Sequence, residues 1–228
     1  GLMSGTSLDG VDAVLADFDA GRPRLIGEAH VAFDAALRRE LLALNSPGEN
    51  EIDRAALAGN ALARHYAAAV AEVLAGSKTP ASGVRAIGCH GQTVRHRPER
   101  GYTTQIGNAA LLAELTGIRV VADFRSRDVA AGGQGAPLAA AFHAAVFADS
   151  AEDRVAINLG GIANLSFLPG SGEVTGFDSG PGNCLLDLWA ARHLGATYDA
   201  GGGWAAAGRA IPALLERMLQ EPYFLAAP

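Results

Sequence analysis

Lysine is nearly missing from this chain of 228 residues: Lys78 is the single one, in the loop-like stretch A-G-S-K-T-P. Lysine and arginine together number 18 against 24 acidic residues, a formal charge of −6. No basic cluster stands ready for a phosphate backbone or an anionic bilayer, so nucleic acid and membrane are set aside as partners. Cysteine is scarce as well. Cys89 and Cys184 lie far apart, with no C-x-x-C and no Cys/His pair at zinc spacing, so neither a disulfide framework nor a metal site of that kind is signalled. No apolar run reaches the roughly 18 residues of a membrane span, and no signal-peptide pattern occurs, which makes a soluble cytoplasmic protein the expectation. Three motifs are missing too. There is no G-x-x-x-x-G-K-[ST], no G-x-G-x-x-G leading from strand to helix, and no G-x-S-x-G, which removes the P-loop, dinucleotide and serine-hydrolase readings.

Glycine and apolar residues are abundant instead: 29 glycines and 49% hydrophobic content, enough for a sizeable core. The opening G-L-M-S-G-T-S-L-D-G-V-D (1–12) crowds small polar residues into what otherwise reads as a strand pair. Such a turn is either a plain hairpin or a cradle whose backbone N–H groups and hydroxyls converge on an anion. A third strand fits 24–33, and a long helix follows, with Asn50 as N-cap and Gly76 as its end. Its Ile52, Ala56, Leu62, Tyr66, Val70 and Val73 recur at helical spacing. Further segments alternate: V-R-A-I-G-C-H-G (84–91), a helix ending at Gly117, the apolar strand 118–124, and a helix over 136–147 with proline near its first turn. At Arg154 the pattern restarts. R-V-A-I-N-L-G-G-I-A-N-L-S-F-L (154–168) is again strand, Gly turn and strand, and 181–195 is a helix closed by glycine. The class is therefore α/β, and the recurrence predicts two similar halves, 1–150 and 151–228. Gly1 starts where a strand is already under way, so the chain reads as a fragment whose second domain is incomplete.

Five stretches together carry a resemblance: G-L-M-S-G-T-S-L-D-G-V-D, C-H-G-Q-T-V, V-V-A-D-F-R-S-R-D-V-A-A-G-G-Q-G-A-P-L, N-L-G-G-I-A-N-L and F-D-S-G-P-G-N. In this order they resemble the anhydro-N-acetylmuramic acid kinase family, within the actin-like ATPase and sugar-kinase superfamily. The resemblance implies a two-domain fold with a duplicated strand–Gly turn–strand core. The implied activity is ATP-dependent opening and phosphorylation of 1,6-anhydro-N-acetylmuramic acid in cell-wall recycling. An ordinary amino-sugar kinase of the same superfamily, or a nucleotide-binding module without transfer activity, stand as alternatives.

The resemblance also implies roles. Gly5, Thr6, Ser7, Leu8, Asp9, Gly10, Val11 and Asp12 form the first ATP-phosphate loop, with Asp9 or Asp12 holding Mg²⁺ directly or through water. Gly160, Gly161 and Asn164 form the second, and Asp178, Gly180 and Asn183 join the nucleotide site, although helix capping competes for Asn183. Asp123, leaving a strand end toward a Gly-rich loop, is the expected general base, against the alternative of an ion pair with a neighbouring arginine. Gln92, His96 and Arg127 are expected at the sugar. His90 and Cys89 read as packed structural residues. A small-molecule anhydro amino sugar is the expected partner, and a homodimer is left open.

Overall fold

Three antiparallel strands open the chain in the order β1 (Leu2–Met3), β2 (Gly10–Asp17) and β3 (Arg24–Ala32). Alternation in β2 buries Val11 and Ala13 and exposes Asp12 and Val14, the period-2 pattern of a half-buried strand. The computed structural model describes residues 1–19 and 21–225. They divide into two compact units, Gly1–Gly135 and Ala136–Pro228. The division lies ahead of residue 150, because the helix over 139–147 packs on the strands that follow it.

In the first unit, α1 (Ala35–Ala43) is capped by Asp34, whose Oδ1 accepts from the Ala36 and Leu37 N–H groups at 2.9 and 2.8 Å. Helix α2 (Glu51–Ser77) runs 27 residues and buries Ala58, Leu62, Tyr66, Ala69, Val70 and Val73 along one seam, against β2 and β3. Three expectations for this helix are corrected. Ile52 and Ala56 precede the seam and are exposed, Ile52 to 89%. Asn50 sits at the N-terminus in a left-handed conformation without a side-chain cap, and Lys78, not Gly76, closes the helix. The parallel pair β4 (Ile87–Gly88) and β7 (Val120–Val121) lies beside β1 through a Leu2–Cys89 bridge. Hairpin β5 (Gln92–Arg97) and β6 (Tyr102–Ile106) leads to α3 (Ala109–Thr116), closed by Gly117 at φ 67° as expected. The strand expected over 118–124 is shorter: β7 stops at Val121, and α4 (Phe124–Ala130) begins directly after Asp123. One continuous core runs from Leu2 to Ile118.

In the second unit, α5 (Ala139–Phe147) covers the sheet β10 (Thr175–Pro181), β9 (Ile162–Leu168) and β8 (Arg154–Leu159), in that order and antiparallel. Helix α6 (Cys184–Leu194) ends at Gly195, φ 66°. Short helices α7 (Gly203–Ala206), α8 (Pro212–Met218) and α9 (Pro222–Leu225) follow. Among the described residues no helix is long and apolar enough to cross a membrane.

Candidate functional site

The loop between β1 and β2 is held by buried polar groups. Ser4 is 1% exposed, and its Oγ lies 2.8 Å from the Tyr66 hydroxyl of α2 and 3.3 Å from the Gly91 carbonyl oxygen. A carbonyl only accepts, so Ser4 gives its proton to Gly91 and Tyr66 donates to Ser4. The Gly5 carbonyl accepts from the Leu8 N–H and from Gln92 Nε2, both at 3.3 Å. Leu8 takes a left-handed φ of 53° and buries its side chain, as does Val11, so these two can meet a ligand only through backbone. Thr6, Asp9 and Asp12 are exposed, and Ser7 Oγ donates to Asp9 Oδ1 at 2.8 Å.

The two loop glycines differ. A Cβ on Gly10 would stand 2.4 Å from the Val31 carbonyl oxygen, so glycine there serves the β2–β3 pairing. Gly5 meets only Ser7 Oγ at 3.7 Å and is open on its outer side. Asp12 Oδ1 lies 2.8 Å from His30 Nδ1, its register partner on β3. Two exposed carboxylates are the donor type Mg²⁺ takes alongside retained water and phosphate oxygens. No cluster of three or more His, Cys, Asp or Glu gathers among the described residues.

The segment Cys89–Gln92 links that loop to α4. Gln92 is 2% exposed. Its amide Nε2 donates to the Gly5 carbonyl, while its Oε1 is buried without a protein partner among the described residues. His90 Nδ1 lies 2.7 Å from the Gly91 oxygen, and its Nε2 lies 2.8 Å from Arg125 Nε. An arginine nitrogen only donates, so Nε2 is unprotonated and the ring proton sits on Nδ1, pointing to Gly91. Burial and then the Arg125 charge push the His90 pKa down, against the smaller opposing effect of the Gly91 bond. Burial also pushes the Cys89 thiol up, which disfavours the thiolate a nucleophile needs. Cys89 is buried and His90 half-buried.

Helix α4 carries the carboxylate expected to act as base. Asp123 precedes it at φ 60°, exposed, without a side-chain cap bond and, among the described residues, without an ion pair. A non-glycine residue held there costs roughly 1–3 kcal/mol, and such outliers cluster at functional sites. Arg125 donates from Nη1 to the Gly135 oxygen at 2.5 Å, and Asp128 Oδ2 accepts from the Gly135 N–H at 2.7 Å. The turn 132–135 thus closes on α4, and a Cβ on Gly133 would stand 2.3 Å from the Asp128 carboxylate. His96 bonds Thr103 across the β5–β6 hairpin at 2.9 Å, with its ring edge against Gly135. Arg127 is exposed on α4.

In the second unit the β8–β9 turn and the D-S-G-P-G-N stretch come together. The Gly160 oxygen accepts from the Asn183 N–H at 2.9 Å, and the Gly161 oxygen from the Gly182 N–H at 3.0 Å. A Cβ on Gly182 would stand 2.1 Å from the Gly160 oxygen, so no other residue permits this approach. Asp178 faces Asn164 in the β10–β9 register, just before a bulge that ends at Gly180, φ 131°. Asn183 does not cap α6 with its side chain. Its Oδ1 and that of Asn164 are buried without a protein partner, which is what acceptors reserved for a ligand or water look like.

Ser4, Tyr66, Arg125 and Asp128 are site-shaping residues that the motif reading passed over or treated as neighbours. Tyr66 carried a usable signal: a tyrosine on the buried seam of a helix must find a partner for its hydroxyl.

Comparison with known proteins bears on the whole chain. The family model described as anhydro-N-acetylmuramic acid kinase matches residues 1–228. Curated relatives bearing that name include one from Variovorax paradoxus, 60% identical over 237 aligned residues, covering 100% of this chain and 63% of the relative. One from Nitrosospira multiformis is 57% identical, with 100% and 63% covered. One from Burkholderia cenocepacia is 60% identical, with 100% and 60% covered. The chain thus spans about three-fifths of the length of these relatives.

Proposed function

Because the chain belongs to the anhydro-N-acetylmuramic acid kinase family, we propose that the protein carrying it uses ATP to open 1,6-anhydro-N-acetylmuramic acid and phosphorylate its 6-oxygen. The products are N-acetylmuramic acid 6-phosphate and ADP, in the recycling of cell-wall peptidoglycan in the cytoplasm. The Gly turn of each unit, one in Gly1–Gly135 and one in Ala136–Pro228, is read as a phosphate-binding turn of a duplicated core. The loop 5–12 supplies open backbone at Gly5 and hydroxyls at Thr6 and Ser7. Gly160, Gly161, Asn164, Gly180 and Asn183 supply the second set of contacts. Asp9 and Asp12 would hold Mg²⁺, which when bound neutralises charge on the phosphates.

The 6-oxygen of this sugar is tied up in the anhydro bridge, so a water must attack C1. In that step the water oxygen bonds to C1, the C1–O6 bond breaks, and Asp123 takes the water proton. The freed O6 attacks the γ-phosphorus, and ADP leaves. Gln92, His96 and Arg127 contact the sugar, Gln92 through its unpartnered Oε1 while its amide holds the loop. Asp123 carries this reading: it is exposed and left-handed and, among the described residues, makes no ion pair with an arginine, which was its structural alternative. Asp178 is the second carboxylate to test, because it stands in register with Asn164 and its unpartnered oxygen.

Asp123→Asn keeps the shape but cannot take a proton. Ring opening and phosphorylation should fall together by about 10²- to 10⁴-fold with ATP affinity little changed. Early product formed by the unmutated enzyme in ¹⁸O-water should carry label on the C1 oxygen and none in the transferred phosphate. If Asp178→Asn shows the large loss and Asp123→Asn does not, the base is Asp178. Unlabelled C1 oxygen would remove the coupled mechanism altogether.

A further inference from the structure

The C-H-G-Q stretch, residues 89–92, is absorbed by neither the phosphate contacts nor the proton transfer, yet it touches both places. On one side Gln92 Nε2 donates to the Gly5 oxygen, and the Gly91 oxygen accepts the Ser4 hydroxyl, itself fixed by Tyr66. On the other, His90 accepts from Arg125 in the first turn of α4, two residues after Asp123. Every proton in this chain has one direction. Arg125 donates to His90, His90 and Ser4 to Gly91, Tyr66 to Ser4, and Gln92 to Gly5. Ser4, Tyr66 and Gln92 are 1%, 1% and 2% exposed, so water does not compete for these bonds. A glycine is needed at position 91, where φ is 74° and a Cβ would stand 2.7 Å from the Ile106 oxygen. The segment is therefore pinned against β6 as well.

We propose that residues 89–92 act as a positioning bracket that holds the first phosphate loop and the start of α4 in one fixed relation. Tyr66 and Gln92 are its grips on the loop, and His90 is its grip on Arg125. Neither Tyr66 nor His90 needs to touch a substrate. The proposal rests on the kinase reading for the identity of the ligand, while the bracket itself is a property of the loop.

Tyr66→Phe removes one oxygen and keeps the ring in the core, and Gln92→Met keeps the length and removes the donor. In the intact protein, each should raise the Kd for ATP by about 3- to 10-fold, the cost of one hydrogen bond. In Tyr66→Phe the KM for the anhydro sugar should stay put, a split that general destabilisation of the fold would not produce. His90→Leu should lower kcat more than it changes ATP affinity. His90→Gln, which can still donate to Gly91 and accept from Arg125, should restore most of it. Amide exchange gives a readout independent of nucleotide: protection over residues 4–10 should drop in Tyr66→Phe and Gln92→Met while α3 keeps its own. ATP affinity and loop protection both unchanged in these two variants would overturn the bracket. If the unmutated protein binds no ATP, the kinase reading falls, and loop protection alone decides the bracket.

Discussion

At the scale of single residues, His90 shows how a side chain's neighbours choose its protonation state. Arg125 Nε must donate, and its bond to His90 requires an unprotonated Nε2. A second proton would be set against a guanidinium in a half-buried place. The native state therefore refuses a proton that the unfolded chain takes at about 6.5. The sign follows from proton counting: below that value the unfolded state binds more protons, so stability falls as pH drops from about 6.5 toward the native pKa and is flat above it. Each unit between the two pKa values is worth about 1.4 kcal/mol. Urea midpoints measured from pH 8 to pH 5 should fall for the unmutated chain and fall less for His90→Gln, which cannot titrate. Equal slopes for the two would mean that His90 takes its proton alike in the native and unfolded states. His90 was legible as a packed residue from the sequence. Its tautomer was not, because the partner that sets it is 35 residues away.

At the scale of elements, α2 is the spine of the first unit, and both of its ends are irregular. Asn50 and Lys78 each adopt left-handed conformations, at φ 50° and 55°, which cost a side-chain-bearing residue about 1 kcal/mol or more. Lys78 is exposed, and its N–H closes the helix on the Ala75 and Leu74 oxygens. Lys78→Gly should therefore stabilise the chain by about 0.5–1 kcal/mol, because glycine meets the same geometry without the Cβ clash. Thermal or urea unfolding checks this, and phosphate transfer should be unaffected because the residue is a solvated cap. A large drop in kcat would place this lone lysine at the phosphates after all. The apolar spacing announced the helix, but it named Ile52 as part of the seam. The helix begins seven residues before its first buried one, Ala58, and periodicity cannot see where the partner surface starts.

At the scale of the whole molecule, burial is unevenly shared. The continuous core from Leu2 to Ile118 lies in the first unit. In the second, Leu168 and Ala190 are buried, while Val155, Ile157 and Leu159 of β8 and Leu185, Leu186 and Leu188 of α6 are exposed. Stability follows buried apolar surface, so the second unit of this 228-residue chain should unfold first. Both tryptophans, Trp189 and Trp204, belong to that unit, and far-UV dichroism is weighted toward α2 in the other. In urea, the fluorescence midpoint should precede the dichroism midpoint. Coincident transitions would show a single cooperative unit. The sequence by itself determined the α/β class, the two strand–Gly turn–strand hairpins and the family, because these depend on spacing within a few residues and on motifs that stay intact when read in order. The tertiary structure alone decided that Gln92 holds a loop, that Gly10 serves a strand pairing, that Asn183 leaves its oxygen unpartnered, and that Tyr66 reaches Ser4. The Gln92 and Tyr66 outcomes depend on which carbonyls and hydroxyls meet across 60 to 90 residues of chain, and a hydrogen bond's direction is fixed only once both partners are in place.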